Sequence, residues 1–252
     1  MTDAHCESWR PGAAYLYVLH LDRPALAWEY LRRHPDYRRD WLRRRHRQAA
    51  ARWGLRVLEN PDLDARDAHP AWCVEPAGIV QLHPDLAPTA ETVPFDLWRI
   101  AGHKHLCHDG QYLMLTVETP GCRRRFVLAP ALEHGMPCIR AVHDGDADLT
   151  PLVSDAAPWV RSRPRPSRAA LLEAHTLQGL DATLAGATLR AVAEALAGPA
   201  RVAVDWHADG ALRARVRRLV QRGNGLMRGG YRRLLQPAPV AQGRLHDPAK
   251  RP

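Results

Sequence analysis

The sequence contains no run of about 18 apolar residues, the length a helix needs to cross a bilayer. Its opening, MTDAHCESWRPG, lacks the basic-then-apolar layout of a secretion signal, so the expected compartment is the cytoplasm, at the nucleoid, with no membrane partner. The five cysteines (Cys6, Cys73, Cys107, Cys122 and Cys138) are odd in number and show no CxxC spacing, so they read as free thiols in a reducing compartment. No GxSxG, HExxH, P-loop or GxGxxG pattern occurs, and the scattered carboxylates offer no recognisable acid/base pair. The chain is therefore read as non-enzymatic and without a cofactor.

What is abundant is positive charge. The formal net charge over 252 residues is +9, which points to polyanionic partners. From Pro151 to Pro252 there are 17 Lys and Arg against 7 Asp and Glu, a net of +10, so residues 1–150 hold 19 against 20, a net of −1. A second basic cluster, Arg32 to Arg52, is followed by the acids Glu59, Asp62, Asp64 and Asp67. Within it Arg43, Arg44, Arg45 and Arg47 read first as a solvated helical face.

Hydrophobic periodicity predicts an α+β protein in four parts: a small helical module and linker over 1–75, a β-rich middle over 76–160, a helical domain of helix-turn-helix type over 161–236, and a disordered tail over 237–252. Pro24 to Arg52 reads as two helices parted at His34-Pro35, with proline in the first turn of the second. Pro61, Pro70, Pro76, Pro84, Pro88 and Pro94 exclude long helices from 60–94, leaving a linker or edge strands. Strands are expected at Leu97–Leu106, Gln111–Glu118, Cys122–Leu128 and Cys138–His143, with Asp109-Gly110 as a hairpin turn and a small antiparallel sheet as the product. The HKHLCH stretch would put His103, His105 and Cys107 on one face of a strand, but no second ligand pair follows. Polar residues on a half-exposed strand are the reading adopted there, not a metal site.

In the C-terminal third, Ser167 and Thr188 are placed to cap helices, Gly198 to stop one, and Asp209 to cap a third carrying Leu212, Val216, Leu219 and Val220 on one face. Arg201 to Val204 reads as extended. The small residue Ala193, the Gly198 turn and the Arg-rich helix form the expected helix-turn-helix unit. Its candidate DNA contacts are Arg201, Arg213, Arg215, Arg217, Arg218, Arg222 and Arg228. No acid follows Asp209 to pair with them along the helix. Trp28, Trp41, Trp206 and Tyr231 sit at helical spacing beside leucines and read as core, not as base-stacking platforms.

The stretch from Arg165 to Leu235 resembles the RovC-like DNA-binding domain of proteobacterial regulators, through Ala193-Glu194-Ala195-Leu196, Trp206 with Leu212-Arg213, Arg217-Arg218-Leu219-Val220, and Leu226-Met227 with Gly229-Gly230-Tyr231-Arg232. The N-terminal AWEYLRRHPDYRRDW, followed by WGL and HPAW, resembles the transcriptional-regulator-like domain that accompanies it, with His34 where that family has the stronger cap Asn. The resemblance implies a sequence-specific transcriptional regulator of mobile-element or secretion-locus genes. Its implied partner is double-stranded DNA, with RNA polymerase, another regulator and a second copy of the chain as further candidates. It also implies an alternative, an antiactivator-like module that binds another regulator and not DNA. By charge and capping, the segment from Arg163 to Leu235 is expected to fold alone.

Overall fold

In the computed structural model the described residues are 8–43, 47–73, 79–89, 92, 94–119, 122–141 and 166–236. A 3-10 segment, Gly12–His20, leads into α1 (Arg23–Leu31), α2 (Pro35–Arg43) and α3 (Arg47–Arg52). Asp22 caps α1 by accepting from the Ala25 amide at 2.8 Å. His34 caps α2: its Nδ1 accepts from the Asp36 amide at 3.1 Å, doing with a ring nitrogen what Asn does with an amide oxygen. Arg44 and Arg45 lie outside the described residues.

The middle of the chain forms a five-stranded sheet of β1 (Ile79–Pro84), β2 (His103–His108), β3 (Leu113–Thr119), β4 (Cys122–Leu128) and β5 (Cys138–Ala141), in the order β2-β3-β4-β1-β5. The Asp109-Gly110 hairpin and β4 fall where the sequence places them, but two expectations do not hold. The sheet is mixed, because β1 pairs parallel with β4, Val80 opposite Phe126. And the proline-rich stretch supplies an interior strand, not a linker or an edge. Val80 and Leu82 alternate into the sheet core with Leu115, Val117, Phe126 and Leu128, and Pro84 sits at the strand's last position, where a missing amide costs least. β2 starts at His103, not Leu97, because the Asp96 carboxylate accepts from the Trp98 and Arg99 amides and turns the chain there.

The C-terminal helices are α4 (Arg168–Leu184), α5 (Leu189–Ala197), α6 (Pro199–Asp205), α7 (Ala211–Gly225) and α8 (Arg232–Leu235), with a π turn at Leu226–Gly230 between the last two. Ser167 and Thr188 cap α4 and α5 through the Ala170 and Ala191 amides. Gly198 stops α5 at φ 86°, a conformation that other residues resist. Arg201 to Val204 is helical, not extended: Pro199 presets the first turn of α6, and Val202 is buried. Gly210, not Asp209, precedes α7. The turn packs Gly210 so tightly that an added Cβ would lie 3.0 Å from the Asp205 carbonyl oxygen, and α7 starts without a side-chain cap.

The N-terminal module and the C-terminal helices share one core. Trp28, Tyr30, Tyr37, Trp53 and Trp72 pack with Leu177, Leu180, Met227, Tyr231 and Leu235. Trp28 and Tyr231 are core, as expected, whereas Trp41 and Trp206 are half-buried. Trp9 joins a second cluster with Ala182, Val192, Ala193, Val202 and Val216. A segment cut near Arg163 would lose the N-terminal side of the first cluster and Trp9 from the second, so the expectation that 163–235 folds alone is replaced by one of mutual dependence.

Polar groups close the same seam. Arg33 makes two bonds to Asp181, at 2.6 and 2.9 Å, and reaches Glu29 at 2.5 Å. Glu29 also accepts from the Ala65 amide at 2.6 Å. Burial pushes the Glu29 and Asp181 carboxyls up, but the arginine outweighs it and holds both below the ordinary carboxylate range. Tyr15 donates to Asp181 and Tyr30 to Glu173, at 2.8 and 2.6 Å. The sheet meets this body through Arg125 on Asp22 at 2.7 Å, Arg56 on Asp109 at 2.9 Å, and the His69 ring stacked 3.8 Å from that of His105.

Two outcomes follow from these contacts. Arg33→Met leaves Asp181 and Glu29 enclosed without their shared cation and should cost about 3–5 kcal/mol, read by urea unfolding. Burial, then His105 and the arginines Arg123 and Arg125, push the His69 imidazole down to about 4. The unfolded chain takes up that proton near pH 6.5, so between those values it binds more protons than the native state. Stability should therefore fall as pH drops from about 6.5 towards 4. Melting temperatures across that range should show a shallower fall for His69→Gln; an equal slope would mean that the ring is protonated in place without cost.

Candidate nucleic-acid interface

α7 presents two faces. Val216, Leu219 and Gly223 are buried, and Leu212 is half-buried beside them. Close approach fixes the helix on α4: a Cβ on Gly223 would lie 3.1 Å from the Leu180 Cβ and 3.2 Å from the Thr176 carbonyl oxygen. Ala193 of α5 is wholly buried in the neighbouring cluster with Val216. At about 100° per residue, Arg217, Gln221 and Arg218 then point away from the core, with Arg213 on one flank and Arg215 and Arg222 on the other.

The seven candidate arginines are exposed, but they are not equivalent. Arg201 pairs with Asp205 at 3.2 Å, one turn along α6. Arg213 reaches the Ala208 carbonyl oxygen at 3.3 Å. Arg222 is bound by Glu173 of α4, the carboxylate that also receives the Tyr30 hydroxyl. Arg215, Arg217, Arg218 and Arg228 have no carboxylate partner among the described residues. The acid that Arg222 meets lies 49 positions away in the chain, beyond the reach of a helical-spacing argument. Arg232 carries no sequence signal that sets it among the candidates; it is exposed on α8 and its guanidinium donates to the Arg52 carbonyl oxygen. Only the packing of α8 on the N-terminal module reveals that neighbourhood.

The helix-turn-helix unit also differs from expectation. α6 stands between Gly198 and the Arg-rich helix, so α5 does not turn directly into α7. Each of the fourteen Lys or Arg positions in 151–236 is arginine, and the chain holds two lysines in total, Lys104 and Lys250. A planar guanidinium with five donors suits the paired oxygens of a phosphate better than an ammonium does. Among the described residues no three His, Cys, Asp or Glu side chains gather to hold a metal ion. None of the described helices is long and apolar enough to cross a membrane.

Comparison with known families agrees with the architecture read from the sequence. Residues 8–57 match the proteobacterial transcriptional regulator-like domain. Residues 131–236 match the RovC DNA-binding domain, described as "T6SS, Transcription factor, DNA binding domain". That match begins 30 positions before the boundary at 161 expected from the sequence and takes in β5. Residues 77–124 match a domain of unknown function, DUF7011, over the strand-rich middle, which carried no motif of its own. No curated protein matches the chain.

Because Ala193 is wholly buried where α5 meets α7, Ala193→Leu should overpack the junction at a cost of about 1–3 kcal/mol. Thermal melting reads this directly; an unchanged midpoint would show that the junction has room to spare.

Proposed function

We propose that the chain is a sequence-specific transcriptional regulator of double-stranded DNA, acting in the cytoplasm at the nucleoid on secretion-locus or mobile-element genes. The observation that carries the reading is the division of labour on α7. One face is locked into the core by Val216, Leu219 and Gly223, while the other offers Arg217 and Arg218 without carboxylate partners among the described residues, inside a segment that matches a DNA-binding domain. A helix of 15 residues is about 22 Å long, and a helix with its side chains fits the roughly 12 Å width of the major groove.

In this arrangement α7 is the reading helix, α6 and the turn before Gly210 set its angle, and Arg215 and Arg228 extend the cationic surface. Arg222 acts differently: its pairing with Glu173 fixes α7 on α4. Arg201 and Arg213, partly engaged with Asp205 and the Ala208 carbonyl, are groups that DNA phosphates would have to recruit from those partners. RNA polymerase, another regulator or a second copy of the chain would meet surfaces away from α7.

The test uses operator DNA chosen by in-vitro selection and the full chain. Replacing Arg217 and Arg218 together by Ala should weaken binding and reduce the slope of log K against log salt by about 1.8, at roughly 0.9 for each phosphate that is no longer neutralised. Circular dichroism should show an intact helix content. Equal affinity and slope for the double variant and the parent would remove α7 from the interface and favour the antiactivator-like, protein-binding role.

A further inference from the structure

The arginines of α7 do not end at the helix. The π turn carries the chain on to Arg228, eleven positions past Arg217, which is about 16 Å along the axis. There the C-terminal domain meets α2 and α3. The Tyr231 hydroxyl donates to the Trp53 carbonyl oxygen at 2.8 Å, and Arg232 donates to the Arg52 carbonyl oxygen next to it. His34, at the start of α2, packs its ring 4.8 Å from that of Trp53; burial pushes its imidazole down, Asp36 opposes that, and the positive fields of Arg52 and Arg228 add to it. Two exposed arginines from opposite ends of the sequence, Arg52 and Arg232, therefore meet on one rim, and the exposed Arg228 lies four positions before Arg232.

The acids that follow the N-terminal basic cluster do not cancel this rim. Asp62 is drawn to Arg38 at 2.5 Å, and Asp64 to Arg66 at 2.6 Å. Asp36 pairs with Arg39 at 3.1 Å. Among the described acids only Asp40 reaches the rim, at 3.2 Å from Arg52, and it also accepts from the Trp53 indole. The Arg52 side chain remains 57% exposed, with its guanidinium 4.6 Å over the Trp53 ring, so stacking orients the fork while most of its donors face outward. Asp40 divides one oxygen, Oδ2, between the Trp53 indole and Arg52, so it holds the guanidinium through a single nitrogen and leaves donors for a phosphate.

We propose that Arg52 and Arg232, together with Arg228, form a second phosphate contact, through which the N-terminal module grips the DNA backbone beside the groove that α7 enters. The inference rests on the reading of α7 as the DNA-contacting helix and adds a partner surface that the sequence division between the two ends conceals. Along one strand phosphates follow about every 3.4 Å of helix axis, so the distance from Arg217 to this rim spans about five of them. The contact is to the backbone and carries no base preference.

The experiment compares the full chain with Arg52→Gln, Arg232→Gln, Arg52→Lys and the α7 variant Arg217→Ala, on selected operator and on random duplex, over a salt series from about 50 to 200 mM. Arg52→Gln and Arg232→Gln should each lower the salt slope by about 0.9, so that the fall in affinity across that range shrinks about three- to four-fold, equally on both DNAs. Arg52→Lys should restore the slope. Slopes unchanged for both Gln variants, with Arg217→Ala still weakened, would overturn the second contact and leave the α7 reading intact. No response to any variant, or no binding by the parent chain, would overturn both. If Arg52→Gln melts early because Asp40 is left alone, Arg232→Gln decides, since its bonded partner is a backbone carbonyl.

Discussion

The Arg33 guanidinium, in the turn after α1, is enclosed between Glu29 of α1 and Asp181 of α4 and ties together two segments 148 positions apart. A buried cation with both forks filled fixes direction as well as distance, so α1 can sit against α4 in one orientation only. The rest of the helical body depends on that orientation. Trp28 and Tyr30 complete a wall that α4 begins with Leu177 and Leu180, and Tyr231 closes it from the far end of the chain. The Tyr30 hydroxyl then reaches Glu173, and Glu173 holds Arg222 of α7. A continuous line of hydrogen bonds thus runs from the regulator-like module to the Arg-rich helix.

The same line explains why the exposed arginines form a defined face. A helix anchored only by leucines can slide or roll by small amounts. α7 is held at Gly223 by contact with α4 and at Arg222 by a carboxylate that is itself bonded. Arg217 and Arg218 are left outside, without a described carboxylate, about 100° apart on the side turned from the core. The apolar face and the ionic anchor set where they project, which is what the proposed contact with DNA requires of them.

Local chemistry was legible in the sequence, and long-range pairing was not. The caps at Ser167 and Thr188, the stop at Gly198 and the turn at Asp109-Gly110 are decided by a few neighbouring residues, and they stand where the sequence put them. β1 was missed as an interior strand because its partners, β4 and β5, lie 40 or more positions downstream, and prolines in its flanks masked a short apolar alternation. α6 was missed because the β-branched Val202 and Val204 suggested extension, whereas Pro199 and the burial of Val202 favoured a turn of helix. At the candidate interface, the residue types were readable, but their division into bound and unpaired was not. That division needs Glu173 beside Arg222 and Arg52 beside Arg232, neighbours that no periodicity announces.

The shared core has a consequence for how the chain comes into being. Trp28, Tyr30, Tyr37 and Trp53 are made more than a hundred residues before Leu177, Leu180, Met227, Tyr231 and Leu235, which cover them. Contacts of such sequence separation are slow to form, because the intervening loop must close before they are gained. Until those later residues have been made, the leading module lacks part of the cover of its aromatic wall, the kind of exposed apolar surface that associates when crowded. A chain that stops before Met227 therefore carries an aromatic wall without part of its cover, and not a finished module with a spare domain missing.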